Sequence, residues 1–364
     1  MLESGSISEH QIKVLVILNF IGTAVINAPG ALMMEAKQEV WIVGIIGLII
    51  GLALMKLYTA LGMMFKGMTL VQYSRKLLGK IFGTLISFWF VLFLILNTSA
   101  FLWIEGDFIS TQIMTETPQL ATNILFMTVV IFASRLGIEV LARTAEVLYP
   151  WAVGGIVILT ILVSPSIEVR NLMPILEVGI KPIARGALFY QSFISLTFVA
   201  FLMIFPAFVN NVENAKKSFF TGMILAGLLF ETIILATVLV MGANVASRNL
   251  YSTYALAKMI SIGEFVERIE AIIAMVWVIS IFFNTVLYFY GALIALAQLL
   301  DLKDYKALTI PLGIIVIILT EIRFPNSAYA LQWNTTTWVA YALTNGLVIP
   351  LLILVVGKIK GKKT

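Results

Sequence analysis

Long apolar runs separated by short polar stretches make up most of the chain. A membrane-spanning helix needs about 20 predominantly apolar residues, and ten segments meet or approach that length. They are residues 11–34, 38–62, 81–110, 120–137, 143–164, 183–210, 218–243, 264–298, 307–323 and 335–357. No polar stretch is long enough for a separate soluble domain. The pattern therefore predicts an all-α integral membrane protein whose residues 1–364 form a single polytopic transmembrane domain.

Composition supports this class and excludes several others. Of the 364 residues 60% are hydrophobic and 12% are charged, against about 45–50% and about 25% in soluble proteins, and the mean hydropathy is +1.02. A soluble enzyme, a nucleic-acid binder and a disordered scaffold are excluded. The chain has no Cys and a single His, His10, which removes thiolate metal sites, Cys nucleophiles and His-based triads. We therefore expect no enzyme activity, no metal and no cofactor.

The distribution of basic residues predicts the orientation. Cytoplasmic loops of membrane proteins carry an excess of Lys and Arg. If the N-terminus is cytoplasmic and there are ten spans, fifteen of these residues lie on the inner side and seven on the outer side. The opposite orientation reverses this ratio. Both termini are therefore predicted to be cytoplasmic.

Two of the spans contain residues that interrupt a helix. The first span includes Gly22, Thr23, Asn27 and Pro29, and the sixth has polar residues at mid-depth followed by Pro206. Broken helices persist in membranes only where they line an enclosed cavity. The first and sixth spans hold corresponding positions if the ten helices form two halves of five, which is the pattern of an inverted-repeat transporter. A proline kink or a small-residue packing seam is the alternative explanation for the first span.

Other polar residues lie at comparable depth in further spans. They are Asn97, Thr98 and Ser99 in the third span, Gln191, Ser192, Ser195 and Thr197 in the sixth, and Asn284 and Thr285 in the eighth. Each one alone fits interhelical hydrogen bonding, whereas their common depth favours one shared cavity. Glu231 is a carboxylate well inside the seventh span, where an acid suggests proton coupling. Glu321 and Arg323, at the end of the ninth span, are expected to form an interfacial ion pair.

Three stretches resemble the B subunits of bacterial spore germinant receptors, the spore permeases of the amino acid–polyamine–organocation superfamily. They are RLGIEVLARTAE at 135–146, NLMPILEVGIKPI at 171–183 and FVERIE at 265–270, the last followed by Trp277. The resemblance covers essentially the whole chain. It implies ten transmembrane helices in a five-plus-five inverted repeat with broken helices 1 and 6. From the residues themselves, 135–146 predicts an ion-pair ladder on one helix face, because its charges recur at spacings of four, four and three.

The resemblance also implies a function and a site. Members of this family are regarded as nutrient-sensing subunits that work with an A-type membrane subunit and a C-type lipoprotein subunit in the inner membrane of the spore. Their ligand positions fall at or near Gly22, Asn97, Thr197 and Asn284 in this chain. The transporter pattern Gly-x-Gly is replaced here by Gly22-Thr23-Ala24, which argues against backbone capture of an amino-acid carboxylate. The three polar liners suggest a hydrogen-bonding germinant such as a nucleoside, a sugar or a polar amino acid.

Two functions remain open on the sequence. One is a receptor subunit that binds a small-molecule germinant and passes the change to its partner subunits within the lipid bilayer. The other is a proton- or sodium-coupled amino-acid permease, in which Glu231 would be the coupling residue. One fold can host both, and uptake of labelled solute by vesicles would discriminate between them.

Overall fold

The computed structural model describes residues 5–175, 177–260 and 270–361, and in these ranges the chain is almost entirely helical. An isolated bridge between Ile7 and Val209 is the β-type pairing found there. The α-helices are α1 (Glu9–Ala24), α2 (Ala28–Ala36), α3 (Val40–Met64), α4 (Leu70–Phe108), α5 (Gln119–Arg135), α6 (Ile138–Val163), α7 (Ile180–Tyr190), α8 (Val212–Met241), α9 (Ala243–Ala246), α10 (Ser252–Lys258), α11 (Glu270–Leu299), α12 (Thr309–Arg323), α13 (Ser327–Leu343) and α14 (Ile349–Gly361).

Seven helical stretches of the described residues are long and apolar enough to cross a membrane. They are Ala28–Met64, Leu70–Ile113, Ile138–Ser166, Ile180–Met203, Val212–Met241, Glu270–Leu299 and Ser327–Lys360. The all-α membrane class is thereby confirmed, whereas ten spans in two inverted halves remain a prediction. The motif at 265–269 and the predicted start of the eighth span at 264 lie outside the described residues.

Both stretches that were predicted to break are interrupted. In the first, α1 ends at Ala24 and α2 begins at Ala28, with Pro29 in its first turn. In the sixth, α7 ends at Tyr190 and is followed by a π-helical turn over Gln191–Ser195 and a 3-10 segment over Leu196–Met203. Such changes of helix type leave carbonyl groups without their regular partners.

The interrupted helices lie at the centre of the molecule. Helix α1 packs against α8, α11 and α6, and α11 packs against α4. Glycines on α3 allow close approach: Gly47 faces the Tyr190 ring, and Gly51 faces the hydroxyl of Ser195. The outer surface of the bundle is apolar, with Ile81 and Phe132 largely exposed. This arrangement places the buried polar groups inside and presents hydrocarbon side chains to lipid.

Two predictions about charged pairs need correction. Of the ladder in 135–146, Arg143 and Glu139 form an exposed ion pair, whereas Glu146 accepts a hydrogen bond from Gln11 of α1 at 2.9 Å. The expected pairing of Glu321 with Arg323 is wrong. Side chains two residues apart do not face each other on a helix, and Glu321 accepts a hydrogen bond from the amide of Asn123 at 2.9 Å.

Candidate functional site

A small cavity lies between the two interrupted helices. Its volume is about 80 Å³. The side chains and backbone that line it come from α1, α4, α11, α12, α13 and the irregular part of the sixth span. The polar and charged lining residues are Thr23, Asn27, Asn97, Thr197, Arg323 and Asn334, and the aromatic ones are Phe101, Trp103, Phe193, Phe324 and Trp338.

A second cavity of about 180 Å³ adjoins the first. Asn27, Trp103, Phe193 and Asn334 line both of them. The second cavity is also lined by Ser247–Leu250. They belong to residues 242–260 between α8 and α11, which we call the outer segment because ten spans with a cytoplasmic N-terminus predict it on the outer side. We call this second cavity the vestibule, because it adjoins the central cavity on the predicted outer side.

Gly22 lines the central cavity at the end of α1. A Cβ atom added to it would lie 2.6 Å from the carbonyl oxygen of Ser280 and 2.8 Å from Nδ2 of Asn284. The carbonyl oxygen of Gly22 accepts a hydrogen bond of 3.3 Å from the indole of Trp277. Helices α1 and α11 are thus in backbone contact at Gly22, and no larger residue fits without moving them apart.

Asn97 and Thr197 face the cavity from α4 and from the sixth span. Both side chains are buried, and both hold their own helix: Asn97 Nδ2 donates to the Phe93 carbonyl at 2.7 Å, and Thr197 Oγ1 donates to the Ile194 carbonyl at 2.6 Å. Those bonds fix the side chains while lone pairs on each oxygen can still accept a hydrogen bond. Three of the four predicted ligand positions, including Gly22, therefore line one cavity.

Asn284 lies one layer further back. It contacts the Cα side of Gly22 and is not among the lining residues. Both its amide nitrogen and its amide oxygen are buried and have no hydrogen-bond partner within the described chain, and the same holds for Asn19 of α1. Unsatisfied buried amides are costly. The amide of Asn284 lies directly behind the backbone of Gly22, where both of its polar atoms are available for a further hydrogen bond.

Glu231 lies away from the cavity, where α8 packs against α3. Its carboxylate contacts Gly44, and its Oε1 atom is buried without a hydrogen-bond partner in the described part of the chain. The neighbouring rings of Tyr190 and Phe230 pack against Phe20 of α1. Glu231 is thus connected to the broken helices through its neighbours Tyr190 and Phe230.

Side-chain donors satisfy the carbonyl groups that the irregular sixth span leaves free. Trp338 Nε1 donates to the Ser192 carbonyl at 3.1 Å, and Tyr288 donates to the Thr197 carbonyl at 2.5 Å. The hydroxyl of Tyr58 lies within hydrogen-bond distance of the Leu196 carbonyl. These donors come from α13, α11 and α3, so the irregular segment is held from three sides.

The break in the first span is satisfied by the outer segment. Thr253 Oγ1 of α10 donates to the Val25 carbonyl at 2.5 Å, and Ser252 Oγ accepts from the Gly30 amide at 2.9 Å. A Cβ on Gly30 would lie 2.7 Å from the Ala246 carbonyl oxygen. Helix α10 therefore replaces helical hydrogen bonds that the break removes, and no pattern along the chain predicts this pairing.

A buried acid–phenol pair adjoins the vestibule. Tyr251 donates to Asp107 Oδ2 at 2.5 Å, and Ser327 donates to Oδ1 of the same carboxylate at 3.2 Å. Burial, and after it the Asp107 carboxylate, raises the pKa of Tyr251 well above its ordinary value. The phenol thus stays protonated and ties the outer segment to α4 and α13.

Sequence reasoning missed several lining residues. Arg323 is the last of the fifteen residues of the largely apolar helix α12, and an arginine inside a membrane span is itself a sign of function. Asn334 and Ala330 lie in α13, which begins at Ser327, eight residues before the predicted tenth span. The polar run QWNTTT at 332–337 lowers the hydrophobicity of this part of the helix, so the apolar pattern did not indicate that the helix begins at Ser327.

The lining chemistry suits a small polar solute. Hydrogen-bonding groups and aromatic rings together line the cavity, and its volume lies below the roughly 300–1,000 Å³ of pockets for drug-sized ligands. Among the described residues, no group of three or more His, Cys, Asp or Glu side chains could hold a metal ion.

Solved structures of transporters share this fold. A nucleobase-cation-symport-1 family transporter, Mhp1, in a closed conformation with bromovinylhydantoin bound, matches 96% of this chain and 78% of its own with a TM-score of 0.72 and 13% identity. The manganese transporter of Eremococcus coleocola, in complex with an aromatic bis-isothiourea substituted compound, matches 94% of this chain and 78% of its own, with a TM-score of 0.64 and 12% identity.

The fold and the central cavity define a multi-pass membrane protein built like a solute transporter. The family model described as "Spore germination protein" matches residues 6–327. The chain belongs to this family, the spore permeases.

Curated relatives agree over nearly the full length. Spore germination protein KB of Bacillus subtilis (strain 168) is 28% identical over 100% of this chain and 97% of its own. Spore germination protein YndE of the same organism is 24% identical over 98% of this chain and 97% of its own. Spore germination protein GerLB of Bacillus cereus is 27% identical over 97% of this chain and 95% of its own.

Proposed function

We propose that this protein is the nutrient-germinant-sensing membrane subunit of a spore germination receptor. It binds a small polar germinant in the central cavity and works in the inner membrane of the spore with an A-type membrane subunit and a C-type lipoprotein subunit. The observation that carries the proposal is the cavity between the two interrupted helices, lined by Gly22, Asn97 and Thr197, in a chain of the spore permease family.

The ligand contacts follow from the positions of these groups. Asn97 and Thr197 offer acceptor oxygens from α4 and from the sixth span, and Gly22 lets the ligand approach the backbone at the end of α1. Asn284 acts in the second layer, where its unpartnered amide supports the backbone of Gly22. We further propose ten spans in a five-plus-five inverted repeat with cytoplasmic termini, in which these groups would lie near the membrane midplane, as in transporters with broken helices.

Transmission to the partners needs an element with two arrangements that the ligand binds with different affinity. The irregular segment Gln191–Met203 is such an element, because its carbonyls are held by side chains of α3, α11 and α13 rather than by its own helix. A ligand on Thr197 acts directly on this segment. Its shift reaches α13 and α14, whose basic end faces the predicted cytoplasmic side.

The experiment is a germination assay with spores of a strain that lacks its own copy of this gene. Wild-type protein should restore the response to one class of nutrients, whereas Gly22→Leu at equal abundance should not. Restoration by Gly22→Leu would show that the cavity is not the germinant site. Failure of the wild-type protein to restore any nutrient response would contradict the receptor function itself.

A coupled permease is the second candidate. Glu231 favours it, because a buried carboxylate oxygen without a hydrogen-bond partner in the described chain is the kind of group that takes up a proton in transporters. Uptake of labelled solute into vesicles that contain the purified protein discriminates between the two functions. Concentrative uptake driven by an imposed proton or sodium gradient would establish the permease.

A further inference from the structure

The central cavity and the vestibule are lined by positively charged side chains. Of the described residues that line the central cavity and the vestibule, the charged ones are Arg323 and Arg248. Arg248 is exposed at the outer end, and Arg323 lines the central cavity itself. The charged side chains that face the central cavity and the vestibule are therefore both positive, which favours anionic solutes, while the Asp107 carboxylate behind the vestibule is engaged by Tyr251 and Ser327.

Arg323 is held in place by neutral groups. Its Nη1 atom donates to the carbonyl oxygen of Leu96 and lies 3.3 Å from Ser99 Oγ. The rings of Phe324 and Trp333 lie 4.6 Å and 5.1 Å from the guanidinium carbon. These contacts fix the plane of the guanidinium beside the turn of α4 that presents Asn97.

Among the described residues, no carboxylate pairs with the positive charge of Arg323. Within the part of the chain that the structure describes, the ion pairs join other residues, and Glu321 is engaged by Asn123. Both hydrogen bonds of Arg323 leave from Nη1, while its Nε atom is buried without a partner. Arginine can bind a carboxylate through two parallel hydrogen bonds from its Nε–Nη2 edge.

We infer that Arg323 binds a carboxylate of the ligand, so that the germinant is a small molecule with one carboxylate group. This inference rests on the proposed function. The sequence Gly22-Thr23-Ala24 argues against binding of a carboxylate by the backbone of α1. In this proposal a side chain of α12 binds the carboxylate instead. One guanidinium balances one negative charge, which favours a carboxylate over a phosphate dianion, and the cavity volume of about 80 Å³ favours a molecule of amino-acid size over a nucleoside.

The test is thermal unfolding of the purified protein in lipid nanodiscs with a panel of compounds. The panel contains the proteinogenic L-amino acids, the amides of the neutral ones, the corresponding acids without the amino group, the common nucleosides and the hexoses. We expect stabilisation by at least one carboxylate-bearing compound and not by its amide. The acids without an amino group separate an amino-acid site from a simple monocarboxylate site.

Variants assign the contact to Arg323. Arg323→Gln should weaken the binding of the stabilising acid about 10- to 150-fold. Arg323→Lys should weaken it less, because lysine keeps the positive charge and loses only the two parallel N–H donors of the guanidinium. Arg143→Gln is the matched control, since Arg143 forms an exposed ion pair on α6, and should leave binding unchanged. If Arg323 only supports α4, Arg323→Gln lowers the unfolding midpoint but leaves the preference for acid over amide intact, which overturns the inference.

Two further results separate this inference from the proposed function. Stabilisation by a nucleoside, a hexose or an amide as strong as that by any acid overturns the carboxylate site and leaves the receptor function standing. The comparison of acid with amide on the wild-type protein keeps this decision possible even where a variant fails to fold. Absence of stabilisation by every compound contradicts the proposed function and the carboxylate site together.

Discussion

The hydroxyl group of Tyr58 lies 3.2 Å from the carbonyl oxygen of Leu196. The same hydroxyl lies 2.7 Å from the carbonyl oxygen of Gly346, in the π-helical turn between α13 and α14. One phenolic proton is therefore shared between the irregular sixth span and the irregular start of α14. Leu196 directly precedes Thr197 of the cavity wall, so Tyr58 connects the candidate site with the C-terminal helix.

Tyr58→Phe should weaken this connection. It leaves two buried carbonyls with one donor fewer, which costs about 1–3 kcal/mol, and we expect a lower unfolding midpoint and a weaker germination response. Tyr73→Phe is the matched control, because the Tyr73 hydroxyl is buried without a partner in the described chain. Removing that hydroxyl should be neutral or stabilising. Equal effects of the two substitutions would show that the Tyr58 hydroxyl connects nothing.

Gly22→Leu should abolish the ligand response while the protein still inserts into the membrane. Even the Cβ atom would lie 2.6 Å from the Ser280 carbonyl oxygen, and the longer side chain fills the cavity. Gly154→Leu is the control, since a Cβ at Gly154 of α6 has no neighbour within 4 Å. Quantified membrane protein and germination dose–response curves measure both effects. A normal response of Gly22→Leu at normal abundance would remove Gly22 from the site.

Asn97→Leu and Thr197→Val should each raise the germinant concentration needed for half-maximal response. Loss of one buried hydrogen-bond partner costs about 1–3 kcal/mol, or roughly 5- to 150-fold in concentration. Thr128→Val on the exposed face of α5 is the control, because Thr128 makes the same hydrogen bond to its own helix without facing the cavity. Unchanged curves for both variants would make these residues packing groups.

Asn284→Leu should separate stability from binding. The substitution replaces an amide without a partner in the described chain by an apolar group of similar size, so the ligand-free protein should unfold at the same or a higher temperature. If the amide supports the ligand site behind Gly22, stabilisation by ligand should be lost at the same time. A lower unfolding midpoint of the ligand-free variant would instead show that Asn284 stabilises the packing of α11 against α1.

Glu231→Gln should keep a near-normal germination response. Glutamine preserves the shape and hydrogen bonding of the side chain but does not titrate, and a receptor needs no proton cycle. Dose–response curves at several external pH values measure the effect. An unresponsive variant at normal abundance, together with a wild-type response that varies with external pH, would favour coupled transport.

The amino-acid sequence by itself determined the class of the protein. Apolar runs long enough to span a membrane predict membrane helices, because the backbone groups of such runs must form their hydrogen bonds within the helix when they are inside the membrane. The interruptions around Gly22 and Thr197 were also readable, because glycine, proline and polar residues inside an apolar run weaken a helix locally. The common depth of the polar residues further predicted one shared cavity, and Asn97 and Thr197 line it, whereas Asn284 lies behind Gly22.

Tertiary structure alone decided how the site is completed. Arg323 was expected to pair with Glu321, two residues earlier, but packing against α4 directs it into the cavity. The donors that hold the broken backbone, such as Tyr58 and Thr253, lie more than a hundred residues from the carbonyls they satisfy. Such pairings depend on how helices pack, and hydrophobicity along a chain does not encode which buried donor meets which free carbonyl.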